Sequence, residues 1–163
     1  MNKPKITKIY LDLDGVICDF SERYRELYKM HPKEADSQKK FYPFFLNFIE
    51  NKNFETLELM AGSRMAIDFL NNLDIPTVIL SSTVNEDLHL EISNQKLVWL
   101  RNNEVPFPAI FVPGKRHKKH HATPDSILID DTESNCIQWV EAGGISIHHS
   151  DWMTTMDILR THL

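Results

Sequence analysis

The sequence predicts an α/β domain: a mostly parallel sheet flanked by helices, with a small helical cap inserted after the first strand. Three observations predict it. Five short segments, residues 5–13, 77–80, 109–112, 127–129 and 145–147, are rich in Val, Ile and Leu, as strands buried on both faces of a parallel sheet are. Helical periodicity lies between these segments, and strands alternating with helices build parallel sheets. Residues 18–60 break the alternation, with no strand pattern of their own.

Taken in order, the first strand carries Ile6, Ile9, Tyr10, Leu11 and Leu13. A helix is expected over residues 18–30, then a polar, Lys-rich stretch, then six aromatics: Phe41, Tyr42, Phe44, Phe45, Phe48 and Phe54. Most of these six are expected to form the cap's own core. Ser63 is placed to cap a helix whose face holds Met65, Ala66, Phe69, Leu70 and Leu73. After the strand at 77–80, Leu90, Leu97, Val98 and Leu100 predict a helix ending near Asn102. After the strand at 127–129, Cys136, Ile137 and Val140 predict another, closed by Gly143-Gly144, where glycine suits a left-handed position. A last helix is expected over residues 152–159. Trp99 and Trp139 read as helix-packing residues. The expected division is a core of residues 1–17 and 61–163 and a cap of residues 18–60.

Composition sets outer limits. The 163 residues fit one domain with a modest insertion and can bury a core without a disulfide or structural metal. With 42% hydrophobic and 25% charged residues the chain is globular rather than disordered. The longest apolar stretch, residues 41–49, is broken by Pro43 and Asn47 and is too short to span a bilayer. The first residues lack the apolar segment of a secretion signal. Cys18 and Cys136 have no metal-type spacing and read as reduced thiols, so a cytoplasmic location is expected.

The net charge of −5 argues against bulk nucleic-acid binding. Yet Lys115, Arg116, Lys118 and Lys119 put four of the 18 basic residues within five positions, with His117, His120 and His121 beside them. That run is either a solvated loop or an anion site.

The chemistry lies at strand ends. The first strand runs into Asp12-Leu13-Asp14-Gly15 and the fourth into Asp130-Asp131. Ligands of open parallel sheets bind outside the carboxyl ends of the strands. If these two strands are neighbours, four carboxylates converge, and they cannot all stay ionised unaided. A hard divalent cation relieves them, and Mg²⁺ suits oxygen ligands. One carboxylate of the D-x-D pair can then attack phosphorus, forming an aspartyl phosphate, while the other handles the leaving group's proton. Ser81-Ser82-Thr83 ends the second strand and offers hydroxyls and N–H groups to phosphate oxygens. A lysine from the basic run can neutralise the phosphate.

The order D-x-D-G, strand–Ser, Lys, strand–Asp-Asp resembles the four motifs of the haloacid dehalogenase superfamily, in its phosphatase branch. The resemblance covers residues 5–147. It implies a Rossmann-like core and a helical cap after the first motif. It implies Asp12 as nucleophile and Mg²⁺ ligand. Asp14 would be acid/base, with its backbone carbonyl on the metal. Ser81, with Ser82, would bind the phosphate, Asp131 would ligate the metal directly, and Asp130 would ligate or orient it. The opening Asp12-Leu13-Asp14-Gly15-Val16-Ile17-Cys18-Asp19-Phe20 is similar to that of the small 5′(3′)-deoxyribonucleotidases. Residues 54–62, with the Leu-x-x-Met-x-Gly pattern, Asp130-Asp131 and Asn135 are similar too. That narrower likeness implies that Phe20 stacks on a base; helix packing is the equal alternative. Phe44 and Phe45 of the cap can close over it. The lysine of the third motif has no unique match: Lys119 is the first candidate, then Lys118, then Lys115.

These readings lead to a Mg²⁺-dependent phosphatase acting on a small phosphorylated metabolite, with a (deoxy)nucleoside monophosphate favoured. The alternatives are a phosphatase of nucleic-acid ends or of a non-nucleotide phosphoester, and a non-catalytic binding or regulatory domain of the same fold.

Overall fold

The computed structural model describes residues 5–163; the first four residues of the expected core segment lie outside them. The elements follow in chain order. β1 (Lys8–Leu11) leads into the insertion, made of α1 (Phe20–Tyr28), α2 (Pro32–Ser37), α3 (Phe41–Glu50) and a 3₁₀ turn at Asn53–Thr56. Then come α4 (Ser63–Asn71), β2 (Thr77–Ser82), α5 (His89–Asn102) and β3 (Ala109–Val112). A 3₁₀ helix over Lys115–His121 precedes β4 (Ser126–Asp130), α6 (Glu133–Glu141), β5 (Ile145–His148) and α7 (Trp152–Arg160).

The five strands form one parallel sheet in the order β3-β2-β1-β4-β5. The chain winds outward from β1 in one direction, then returns and winds in the other. The topological switch therefore falls between β1 and its neighbours, where open α/β sheets bind ligands. Side chains alternate across the sheet as strand geometry requires. Ile9, Leu11, Ile79, Ile127 and Ile129 join the larger hydrophobic cluster on one face. Tyr10, Leu80, Val112 and Leu128 pack with Trp139 of α6 on the other.

The insertion leaves and rejoins the core at one point. The Asp19 N–H donates to the Glu58 carbonyl (2.9 Å) and the Met60 N–H to that of Ile17 (3.0 Å). Cys18 stays outside the helix that was expected to begin there. Asp19 is the N-cap, accepting from the Glu22 N–H, and the helix ends at left-handed Lys29. Tyr24, Phe45, Phe48 and Phe54 are buried and belong to the same cluster as the sheet's larger face. The aromatic-rich insertion thus extends the main core rather than enclosing a separate one. Tyr42 alone of the six aromatics is plainly exposed.

Two helices differ in detail from expectation. Gly62, not Ser63, occupies the N-cap of α4; Ser63 is buried and its hydroxyl donates to the Val16 carbonyl. In α5 the expected apolar residues Leu90 and Leu97 face solvent, while Gln95 and Lys96 are buried with Ile92, Trp99 and Leu100. That buried face makes polar contacts to the insertion and the site. Both cysteines are buried and unpaired. Among the described residues no helix is long and apolar enough to cross a membrane.

The glycine pair after α6 divides two tasks. Gly143 takes φ +97° at C′. Its N–H donates to the Val140 carbonyl and that of Gly144 to Trp139 (2.9 and 3.0 Å), which is the Schellman pattern. Gly144 makes room for an indole: a Cβ there would lie 2.2 Å from Trp139 Nε1. Trp139 is fully buried against Tyr10, so it has little room to yield. Gly144→Ala is expected to cost about 1–3 kcal/mol by overpacking, and Gly143→Ala about 1–2 kcal/mol by left-handed strain. Thermal denaturation checks both. A Gly144→Ala melting temperature equal to wild type would show that Trp139 does not fill that space.

Candidate active site

Asp12 follows β1 directly, and its N–H donates to the Ile129 carbonyl of β4 (3.0 Å). β1 and β4 pair in register through Leu11 and Ile129, which sets Asp12 beside Asp130, the last residue of β4. Lys118 bridges them. Its Nζ lies 2.8 Å from Asp12 Oδ1 and 2.7 Å from Asp130 Oδ2, and all three residues are buried. Asp130 is saturated further: its oxygens accept from the Thr132 N–H (2.9 Å) and from Asn135 Nδ2 (3.0 and 3.2 Å). Asp131, by contrast, is exposed, and no basic side chain among the described residues pairs with it. Its carboxylate lies against Gly15, whose φ is +79° and where a Cβ would sit 2.1 Å from Oδ2. The glycine of D-x-D-G therefore both turns the chain and makes space for the last carboxylate.

Asp14 points toward a second buried lysine. Lys96 of α5 donates to Asp14 Oδ2 (2.7 Å), to the Ser81 hydroxyl (2.8 Å) and to the Ser82 carbonyl (2.8 Å), with Nζ 5.0 Å from the centre of the Phe54 ring. The other Asp14 oxygen accepts from the Cys18 thiol (3.4 Å). Ser81 is fully buried at the end of β2 and Ser82 is partly open to the crevice. Lys96 escapes the sequence pattern because Leu90, Leu97, Val98 and Leu100 suggest an apolar stripe on α5. The available signal was spacing: Lys96 lies three or four residues from Ile92, Ser93, Trp99 and Leu100, on the buried face.

The lysine order is corrected. Lys119, first by sequence, is exposed and touches none of these carboxylates; Lys118 occupies the place. The run folds as a 3₁₀ helix, where residues three apart share an edge. Lys115 and Lys118 therefore face the crevice together, and Lys119 and His120 turn outward.

Charge crowding shifts the titrating groups. Burial, reinforced by Asp130, pushes Asp12 well above the usual carboxylate range, against the pull of Lys118. Partial desolvation of its carboxylate in the crevice, then Asp130 and Asp14, raise Asp131 to about 6, although the residue as a whole is open to solvent. Burial opposes the charge on Lys118, but Asp12 and Asp130 outweigh it and hold that lysine above its ordinary value.

One oxygen each from Asp12, Asp130 and Asp131 lie within 4.8 Å of one another. Hard oxygen donors, an excess of negative charge and an unpaired Asp131 suit a divalent cation such as Mg²⁺. Asp131 is unpaired and Asp12 meets Lys118 through Oδ1 alone, whereas both oxygens of Asp130 are committed, to Lys118, Asn135 and the Thr132 N–H.

The crevice above is a cavity of about 240 Å³ whose floor carries Asp12, Asp14, Asp131, Lys96 and Lys118. Phe20, Phe41, Phe45 and Phe54 form its wall, and Phe20 stacks on Phe54 (5.7 Å, 9°). Phe44, expected at the substrate, instead stacks on Tyr28 (4.7 Å), away from this cavity. Phe41, on the preceding turn of α3, takes a place on the wall.

The crowding makes a stability prediction. The folded-state pKa of Asp131, about 6, lies above the ordinary aspartate value of 3.8. Its contribution is therefore fully present below pH 3.8 and lost as pH rises through about 6. In chelator the protein is expected to lose stability across that window, and Asp131→Asn to lose less. At neutral pH, millimolar Mg²⁺ is expected to raise the melting temperature of wild type and to do little for Asp131→Asn. Equal Mg²⁺ shifts in the two proteins would place the ion elsewhere.

No protein-family model matches the chain, and no curated protein matches its sequence significantly. Solved structures do match. A haloacid dehalogenase-like family hydrolase from Xanthomonas campestris aligns over 99% of this chain and 94% of its own, with a TM-score of 0.67 at 12% identity. A hydrolase from Streptococcus pneumoniae aligns over 96% and 99%, with a TM-score of 0.56 at 15% identity. A haloacid dehalogenase family enzyme from Bacteroides thetaiotaomicron, solved with magnesium and inorganic phosphate, aligns over 91% and 98%, with a TM-score of 0.53 at 13% identity. At these identities the likeness is one of fold, and the chain has the α/β fold of the haloacid dehalogenase-like hydrolases.

Proposed function

We propose that the protein is a Mg²⁺-dependent phosphatase of small phosphomonoesters, with a (deoxy)nucleoside monophosphate as the favoured substrate. The observation that carries the reading is the buried Lys118 bridging Asp12 and Asp130 beside an unpaired Asp131. Two neighbours of the same fold support the chemistry: the Bacteroides enzyme holds magnesium and phosphate, and a Burkholderia thailandensis structure (TM-score 0.52, 14% identity, 85% of this chain and 74% of that one) is a D,D-heptose 1,7-bisphosphate phosphatase.

In the proposed reaction a carboxylate oxygen of Asp12 attacks phosphorus and the bond to the leaving oxygen breaks. Asp14 gives that oxygen its proton, and the aspartyl phosphate remains on Asp12. Asp14, now a carboxylate, takes a proton from water as the water attacks phosphorus; the Asp12 acyl–phosphate bond breaks and inorganic phosphate leaves. Lys118 offsets charge on Asp12 and on the phosphoryl oxygens in a water-poor site. Lys96 ties Asp14 to the end of β2 through the Ser81 hydroxyl and the Ser82 carbonyl, so one side chain sets the acid/base group against the strand end whose Ser82 lines the crevice. Asp12 and Asp131, with the Asp14 carbonyl, would hold Mg²⁺, which would supply positive charge that lets the carboxylates and a phosphate share the crevice. The proposed cap, residues 18–60, contributes Phe20, Phe41, Phe45 and Phe54 to the wall. Aromatic faces accept a base by stacking, which supports the nucleotide preference.

Phosphate release from a panel of nucleoside, deoxynucleoside, sugar and aryl phosphates tests the proposal. Activity is expected to require Mg²⁺ and to fall to background in Asp12→Asn. Asp14→Asn is expected to lower kcat by about 10²–10⁴-fold on alkyl phosphates, and less on aryl phosphates, whose leaving groups need no proton. Release confined to non-nucleotide esters would remove the nucleotide preference. A folded, Mg²⁺-loaded protein silent on the whole panel would remove the enzyme.

A further inference from the structure

Resting on the phosphatase reading and departing from its monophosphate preference, we infer that the best substrate is a phosphomonoester carrying a second phosphate, received by Lys115 with Lys33 behind it in an outer compartment of the same crevice. The inner cavity opens into a space of about 460 Å³. Phe20, Phe41, Ser82, Val84, Lys115 and Thr132 line both, so the two are continuous. The outer space is lined on its far side by Pro32, Lys33 and Asp36 from the first part of the insertion.

The basic run is built to serve both spaces. Lys118 is locked at the bottom of the crevice by its two carboxylates. Lys115 lies three residues earlier in the same 3₁₀ helix, and side chains three apart in such a helix stand on one edge. One turn rises about 6 Å, three residues at about 2 Å each. Lys115 therefore stands one turn farther along the wall than the lysine that meets the transferring phosphate. It is exposed, and neither it nor Lys33 has an acidic partner among the described residues. Asp36 is the one acid lining the outer space, against two lysines. Arg116 and Lys119, in the same run, line neither space. The run thus separates into an inward edge and a solvated one.

The chemistry follows from that spacing. A monophosphate seated at Asp12 already meets Lys118, so Lys115, one turn outward and lining the outer space as well, is available to a second anion. An ester with a second phosphate roughly a turn away from the first meets Lys115, while its body lies along Phe20 and Phe41. An ammonium group serves a phosphate as a strong, charge-assisted donor.

The test compares matched substrates: a deoxynucleoside 5′-monophosphate against its 3′,5′-bisphosphate, and fructose 6-phosphate against fructose 1,6-bisphosphate. In at least one pair the bisphosphate is expected to show a KM about tenfold lower, the value of one charge-assisted contact. Lys115→Gln is expected to collapse that preference toward unity, and Lys119→Gln to keep it. Equal KM within both pairs, or a preference that survives Lys115→Gln, overturns the inference. Silence on every phosphoester overturns the phosphatase reading instead. Calorimetric binding of the same pairs, which needs no turnover, then still decides for or against Lys115.

Discussion

Four carboxylates crowded at and beneath one crevice are the constraint around which the rest of this molecule is arranged. Asp12, Asp14, Asp130 and Asp131 stand at the carboxyl ends of two neighbouring strands. A buried carboxylate that loses its partner costs about 3–5 kcal/mol, so the fold supplies partners from elements distant in sequence. Lys118 comes from the 3₁₀ helix before β4 and Lys96 from the helix after β2. Asn135, on the first turns of α6, completes the shell of Asp130. What these groups leave uncompensated is Asp131, and that asymmetry marks where a cation belongs.

Lys96 also belongs to a larger device. On α5, Glu91, Gln95 and Trp99 fall on one face at intervals of four. Gln95 Nε2 donates to the Ile49 carbonyl (2.8 Å), its Oε1 accepts from the Phe54 N–H (3.3 Å), and Trp99 Nε1 donates to the Leu57 carbonyl (2.7 Å). Lys52 pairs with Glu91. The helix that follows β2 thus holds the end of the insertion while Lys96 reaches from it to Asp14. The aromatic wall and the acid/base group are referenced to the same rigid element, so their separation does not depend on loop geometry.

The parts of the molecule legible in the sequence were those written as local pattern. The apolar strands, D-x-D-G at the end of the first and Asp-Asp at the end of the fourth, need only short-range periodicity and predict the parallel sheet, while the pairing of β1 with β4, and with it the switch point, comes from the structure. The parts that were not legible depend on packing partners far along the chain. Leu90 and Leu97 fit an apolar helical stripe, yet α5 buries Gln95 and Lys96 because its neighbours there are backbone carbonyls and carboxylates rather than aliphatic side chains. Phe44 and Phe45 look alike in sequence, but α3 turns only Phe45 toward the crevice while Phe44 stacks on Tyr28. Lys118 and Lys119 are adjacent and identical, and spacing to Asp130 cannot separate them. A 3₁₀ helix, with three residues per turn, gives them different faces.

That last distinction has a consequence for how chemistry and recognition are joined. Because Lys118 is held by two buried carboxylates, the rotation of the whole 3₁₀ helix about its axis is set by the innermost part of the crevice. Lys115 cannot be aimed independently of Lys118 without disturbing ion pairs in a dry interior, where geometry is costly to change. The arrangement of charge at the reacting end therefore dictates where the next positive charge stands on the wall. Arg116 and Lys119, lying off that edge, are free of the constraint and stay in water, where a lone ammonium or guanidinium contributes little to stability. One buried lysine thereby turns a basic segment that reads as uniform in sequence into two surfaces with different duties.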